Sequence, residues 1–173
     1  MTKLQKKTLI ILAPTFPPEI GGPASYALNI SEPLSEHFNI LLISSYNNKS
    51  KKNTNIFPFR HIQFRGFKFL RPFQFLYYTI LNLKKDCIVF STSSPQDTFL
   101  SGVISKLTGK KVFFRIGGEY HRELSRNISI VKSVVFKELL IKKILILLQS
   151  VKINFICVSK NIKNYLHSIN IKN

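Results

Sequence analysis

Residues 9–26, LIILAPTFPPEIGGPASY, form the stretch that decides the fold. The stretch begins with an apolar run typical of a strand buried on both faces, and three prolines then end regular structure. Gly21 and Gly22 give the backbone freedom to turn, and Pro23 suits the first turn of a helix. This order predicts a strand, a glycine loop and a helix start whose free N–H groups can bind an anion such as phosphate. A tight turn without a ligand is the alternative.

The chain has 173 residues, of which 45% are hydrophobic, so we expect one domain over residues 1–173 with a substantial core. Lys+Arg 26 against Asp+Glu 8 gives a formal net charge of +18. This surplus predicts attraction to an anionic partner, for which nucleic acid, lipid headgroups and phosphorylated substrates are the candidates. Compositional drift toward lysine is the alternative.

Cellular location is indicated by the cysteines and by the lengths of the apolar runs. Cys87 and Cys157 each lie in a strand-like run, which favours buried, reduced thiols and a cytoplasmic setting. The apolar run near the N-terminus is short for a signal peptide, and no stretch reaches the roughly 20 apolar residues that span a bilayer. We therefore expect a cytoplasmic protein, with the inner face of a membrane as a candidate peripheral location.

Strand-like and helix-like segments alternate along the rest of the chain. This alternation predicts an α/β fold, a Rossmann-like three-layer domain with a mostly parallel sheet and helices on both faces. Pro33 should kink or end the first helix. The further strands are predicted at 38–44, 61–64, 86–91, 111–115 and 153–158, and the further helices at 72–83, 94–109, 132–151 and 159–167.

Seven phenylalanines between residues 57 and 75 are interspersed with four cations. Rings and cations in this pattern can stack bases, line a sugar acceptor site or sit at a lipid interface, and they can also be ordinary core. The segment 132–151 is apolar with interspersed lysines. It can be a helix packed on the sheet or a contact with a membrane surface.

Ligands of parallel sheets bind beyond the carboxyl ends of the strands, so three loops matter, 14–22, 91–94 and 116–122. The last of these follows Arg115 and contains Glu119 and His121, which brings an acid, a base and a cation together. A surface turn with incidental charges is the alternative.

Several motifs together resemble glycosyltransferase family 4. APTFPPEIGGPASYALNISEPLSEHFNILLIS resembles the opening of those enzymes, DCIVFSTSSPQDTFLSGVISKLTGKKVFFRIGGEYHRE the middle of their first domain, and INFICVSKNIKNYL its end. The resemblance covers almost the whole chain in order. It implies the first, acceptor-side half of a GT-B enzyme, which transfers a sugar from a nucleotide-sugar donor to a polysaccharide or lipid-linked acceptor.

The resemblance also implies which residues face the cleft between the two halves of such an enzyme. Glu119 and His121 are the candidate catalytic residues, although Gly117 and Gly118 stand where some members have a histidine–aspartate pair. The implied donor-phosphate and acceptor-binding residues are Gly21, Gly22, Arg115, Gly118 and Glu119. No cofactor is implied, because the nucleotide-sugar is a substrate.

The sequence departs from the family in one respect. The family's donor-binding domain carries two glutamates with seven residues between them, and no glutamate pair here has that spacing. We therefore expect a truncated form, or a chain that needs a donor-binding domain from a partner, and little activity from this chain alone.

Other site types find little support in the sequence. The four histidines and two cysteines show no metal-ligand spacing, and neither a P-loop nor a dinucleotide G-x-G-x-x-G is present. A non-catalytic binding module of the same fold is the main alternative function. Nucleic-acid binding ranks lower, since no recognised motif supports it.

Overall fold

The computed structural model describes residues 6–17, 22–46, 57–67, 69–117 and 131–171. Strands and helices alternate along these ranges, as the sequence predicts. The strands are β1 (Thr8–Ala13), β2 (Asn39–Tyr46), β3 (Arg60–Arg65), β4 (Cys87–Ser91), β5 (Lys111–Ile116) and β6 (Asn154–Cys157). The helices are α1 (Gly22–Leu34), α2 (Arg71–Asn82), α3 (Pro95–Leu107), α4 (Val131–Ser150) and α5 (Lys160–Ser168).

The six strands form one sheet in the order β3-β2-β1-β4-β5-β6, with every neighbouring pair parallel. In the register, Ile10 of β1 lies beside Leu41 of β2 and Val89 of β4. These central strands are nearly continuous runs of buried apolar residues, as expected where both faces of a parallel sheet are covered. The predicted fold class is therefore confirmed.

Helices cover both faces of the sheet. Right-handed crossovers require this arrangement, because the chain moves one way from β1 to β2 and the opposite way from β3 onward. Side chains on one face of the sheet, among them Ile10 and Phe114, pack with residues of α2, α3, α4 and α5. Side chains on the other face, among them Ile11 and Phe90, pack with residues of α1.

Local signals explain where several helices begin and end. The Ser94 hydroxyl accepts a hydrogen bond from the Asp97 N–H and caps α3, and Ser159 caps α5 in the same way. Pro33 lies one residue before the end of α1, so the early end expected from that proline is confirmed.

The phenylalanine-rich region divides between core and surface. Phe64 and Phe75 are buried in contact with each other, and Phe57 and Phe59 pack around the buried Phe16. Phe67, Phe69 and Phe73 are exposed, so core packing explains only part of the pattern.

Within the described ranges, no helix is long and apolar enough to cross a bilayer. Cys87 is buried and Cys157 half-buried in their strands, and no disulfide joins them.

The two faces of α2 give a test of this packing. Phe75 is 0% exposed whereas Phe73, two residues earlier, is 60% exposed. We expect Phe75→Ala to lower the free energy of unfolding by about 3–5 kcal/mol, because it leaves a cavity in the core. Phe73→Ala, the matched control, should change it by less than about 0.5 kcal/mol. Urea unfolding measures both, and equal losses would contradict the orientation of α2.

Candidate functional site

The edge of the sheet where the strands end at their carboxyl termini contains one reversal of strand order. The chain leaves β1 toward β2 on one side, while β4 pairs with β1 on the other side. In open parallel sheets, ligands bind in the crevice at this switch point. The loops after β1 and β4 therefore bound the candidate site.

The loop after β1 is fixed to the sheet on both sides. The Thr92 N–H donates to the Leu12 carbonyl oxygen at 2.9 Å, which ties the loop after β4 to the end of β1. The Ser45 hydroxyl donates to the Pro14 carbonyl oxygen from the β2 side. Phe16, fully buried, packs its ring 4.6 Å from that of His61, centroid to centroid. The path of the chain toward α1 is therefore rigidly anchored as far as Phe16.

Among the described residues, nothing fills the space at the start of α1 and no carboxylate lies there. The first turn contains no acidic residue, and a Cβ added at Gly22 would meet nothing within 4 Å. First-turn N–H groups have no partner within the helix, and the helix dipole gives this end a partial positive charge. An anion could therefore approach the backbone at Gly22.

Arg115 reaches this region from two strands away. It lies two residues after Phe113, which packs on the α1 face of the sheet, so strand alternation directs Arg115 to the same face. Its guanidinium carbon lies 3.9 Å from the ring centroid of Tyr26, one turn into α1. The side chain thereby links the end of β5 to the beginning of α1.

The charge of Arg115 is not compensated within the part of the chain that is described. Its buried Nε has no hydrogen-bond partner, and no described carboxylate forms an ion pair with it. The contact with the Tyr26 ring leaves the charge and the N–H donors of the guanidinium in place. The guanidinium can therefore donate a pair of hydrogen bonds to two oxygens of one anion, such as a phosphate or a carboxylate.

The other helix start at this edge, that of α3, is already filled by its own carboxylate. Asp97 is 2% exposed, and its oxygens accept hydrogen bonds from the hydroxyls of Ser93 at 3.0 Å and Ser94 at 2.8 Å. Arg71 at the start of α2 completes the set, with Nε 2.9 Å from Oδ1 and Nη2 2.7 Å from Oδ2. This cluster joins α2 to α3. Because these donors already bind Asp97, the start of α3 is not a candidate site for an anionic ligand.

The predicted site residues therefore stand as follows. Gly22 and Arg115 lie on the same rim of the sheet, connected through Tyr26. Gly117 is also there, where an added Cβ would lie 3.6 Å from Nη1 of Arg115. The predictions for Gly21, Gly118, Glu119 and His121 fall outside the described residues.

Two features of this edge were not anticipated from the sequence. Tyr26 lies one helical turn after Gly22, and that i, i+4 spacing signals that it shares the face of the helix start. The ion pair between Arg71 and Asp97 joins residues 26 positions apart, for which the sequence carries no signal. Among described residues, no group of three or more His, Cys, Asp or Glu is placed to hold a metal ion.

The cluster around Asp97 at the start of α3 can be tested through its contribution to stability. Asp97→Ala should lower the free energy of unfolding by about 3 kcal/mol, because it leaves Arg71 and two serine hydroxyls without their common acceptor. Asp86→Ala, which removes an exposed carboxylate at the start of β4, is the control and should cost less than about 0.5 kcal/mol. Chemical denaturation followed by circular dichroism measures both. A small effect at Asp97 would show that the cluster does not hold α2 to α3.

Comparison of the chain with protein-family models, with curated proteins and with solved structures gave no match. Its function must therefore be inferred from its own residues and fold.

Proposed function

We propose that this chain is the acceptor-side domain of a glycosyltransferase that moves a sugar from a nucleotide-sugar to a polysaccharide or lipid-linked acceptor. The proposal includes a donor-binding domain in addition to the residues described. The resemblance of the sequence motifs to glycosyltransferase family 4 suggests this reaction, and the arrangement at the switch point is compatible with it.

One observation carries the proposal: the Arg115 guanidinium lies beside α1 and has no charge partner among the residues that the structure describes. A nucleotide-sugar presents a diphosphate, and both features favour its oxygens: the guanidinium by paired hydrogen bonds and the helix start by N–H groups and dipole. The guanidinium carbon lies 3.9 Å from the ring centroid of Tyr26, which places the guanidinium beside the helix whose start provides the N–H groups.

The chemistry of sugar transfer explains why such a place is useful. A bond forms between an acceptor oxygen and the anomeric carbon, and the bond from that carbon to the phosphate oxygen breaks. The leaving diphosphate keeps the electron pair, gains negative charge and can take the proton that the acceptor hydroxyl loses. Fixed positive groups at that position stabilise the transition state more than the ground state. Arg115 and the α1 start would supply part of this stabilisation, and the donor-binding domain the rest.

The proposed partners follow from the same chemistry and from the charge of the chain. They are the nucleotide-sugar, the glycan or lipid-linked acceptor, the donor-binding domain and, through the net charge of +18, the anionic inner face of a membrane. We propose a cytoplasmic protein that associates with that surface from outside the bilayer.

A second candidate function is an anion-binding module of the same fold that performs no chemistry. One observation favours it: among the described residues, neither a carboxylate nor an imidazole contacts Arg115. Such a module would bind a phosphorylated ligand at the same place and release it unchanged.

Anion binding is tested by calorimetric titration of the chain with a nucleoside diphosphate and with pyrophosphate. Arg115→Ala should weaken binding at least about tenfold, because it removes a charge-assisted pair of hydrogen bonds. Lys111→Ala removes the same charge from the opposite end of β5, where Lys111 is exposed, and should leave the affinity within about twofold. If both variants lost affinity equally, binding would depend only on the net charge of the chain, which would contradict a site at Arg115.

A substitution at the start of α1 provides an independent test by the same titration. Gly22→Asp places a carboxylate there, as Asp97 does in α3, and the open space around Gly22 admits it. The helix dipole should keep the variant as stable as the native chain, while the carboxylate repels the ligand and lowers affinity at least about tenfold. Gly22→Asn is the uncharged control, with affinity within about threefold of the native chain.

Sugar transfer is tested by combining the purified chain with donor-binding domains, a panel of nucleotide-sugars and a short-chain lipid-linked acceptor. Labelled sugar should appear on the acceptor, and Arg115→Ala should reduce its rate on the order of 100-fold, since removing a donor to a developing charge has about this effect. If every combination fails while the titrations succeed, the binding module is the correct function.

A further inference from the structure

The outward side of α2 is apolar, although it faces solvent. Phe75 and Thr79 on the inward side are buried, and the opposite side and the turn before it are exposed. We call this exposed set the α2 stripe; it consists of Phe69, Leu70, Phe73, Tyr77, Ile80 and Leu81. A helix on a protein surface normally presents polar residues on this side.

The α2 stripe is continuous and strongly exposed. Phe73, Tyr77 and Leu81 follow at intervals of four, which places them above one another on a helix. Phe69 is 84% exposed and Leu81 61%, at opposite ends of the stripe. Single exposed apolar residues need no explanation, but contiguous patches of this kind mark contact surfaces.

A second helix on the same face of the sheet also exposes apolar side chains. α3 packs against α2 on one side and against α4 on the other, all on the same face of the sheet. Among the side chains of α4 that are described, Leu145 and Leu148 are buried, and four apolar ones are exposed, Leu139, Leu140, Ile146 and Leu147. The outer side of this helix layer therefore carries two apolar rows that no described part of the chain covers.

The charged residues described just before and just after the α2 stripe in the chain are positive. Arg65 is exposed just before it, with its guanidinium carbon 5.5 Å from the centroid of the Phe67 ring, and Lys84 and Lys85 are exposed just after it. No acidic residue occurs from residue 37 to residue 85, and Asp97 is already held by Arg71. A partner complementary to this surface is therefore apolar in the middle and anionic around it.

We propose that the α2 stripe is a docking surface for an anionic lipid bilayer. Aromatic and leucine side chains enter the boundary between headgroups and acyl chains, and the arginine and lysines at the two ends contact lipid phosphates. A second copy of the chain fits less well, because two facing stripes would bring these cations together with no acid between them. The proposal assigns a surface to the membrane partner named above, and it rests on neither Arg115 nor sugar transfer.

The absence of tryptophan from the chain provides a clean probe. Phe73→Trp places one indole in the stripe, and Asn29→Trp places one on the exposed side of α1, on the other face of the sheet. With vesicles of phosphatidylcholine and phosphatidylglycerol, the indole emission of the Phe73→Trp variant should shift to the blue and be quenched by brominated acyl chains. The indole emission of the Asn29→Trp variant should not change. Unchanged emission of both variants would overturn the proposal.

Charge-matched variants measure the affinity. Phe73→Asp with Tyr77→Asp should weaken vesicle flotation at least about tenfold, and Asn29→Asp with His37→Asp should leave it within about twofold. Both pairs replace exposed side chains, so unfolding curves should match the native chain. Lys84→Gln with Lys85→Gln should weaken binding by about fivefold per lysine. Equal flotation of the two Asp pairs would overturn the α2 stripe as the docking surface.

Two further outcomes would also overturn the proposal. Equal binding to vesicles of pure phosphatidylcholine would remove the role of the cations. A dimer in analytical ultracentrifugation that Phe73→Asp with Tyr77→Asp dissolves, together with no vesicle binding, would assign the stripe to a second copy. Vesicle binding requires no sugar transfer, so failure here leaves the proposed reaction untouched.

Discussion

Parallel pairing of β1 with both β2 and β4 is the constraint on which this structure depends. Parallel strands cannot be joined by short hairpins, so each connection passes over one face of the sheet. Because these crossovers are right-handed, the strand order determines which face each helix covers. The same pairing collects the carboxyl ends of all six strands at one edge. The sequence order of the chain thus brings the loop after β1, the loop after β4 and the end of β5 to one rim, although up to about a hundred residues separate them.

The two helix starts at this rim share one physical property but differ in the charges around them. Both α1 and α3 present unpaired N–H groups and the positive end of a dipole. In α3 the chain supplies the anion itself, since Asp97 accepts from two serine hydroxyls and from Arg71. In α1 the first turn has no acid, and the cation Arg115 lies over the ring of Tyr26, one turn into the helix. The start of α3 therefore stabilises the packing of α2 on α3, and we propose that the start of α1 binds a ligand.

Much of the fold could be predicted from the sequence because its signals are local. Apolar runs mark the strands, Ser94 and Pro95 mark the start of α3, and Pro33 marks the end of α1. The rim was predictable because parallel strands share one direction. The contact between Arg115 and Tyr26 and the ion pair between Arg71 and Asp97 were not, because they join residues far apart whose meeting depends on strand order and helix packing. The phenylalanine-rich region likewise could not be divided into core and surface until α2 was placed.

We propose that the positive charge of this chain acts at two places, around the α2 stripe and at the start of α1. The second place is the centre of the functional account, and the side-chain Nε–H resonance of Arg115 in a ¹⁵N NMR spectrum tests it most directly. The account predicts that the ring current of Tyr26 shifts this resonance, that Tyr26→Leu removes the shift, and that pyrophosphate moves the resonance in the native chain together with the Gly22 amide. A resonance that responds to neither the Tyr26 substitution nor pyrophosphate would contradict it.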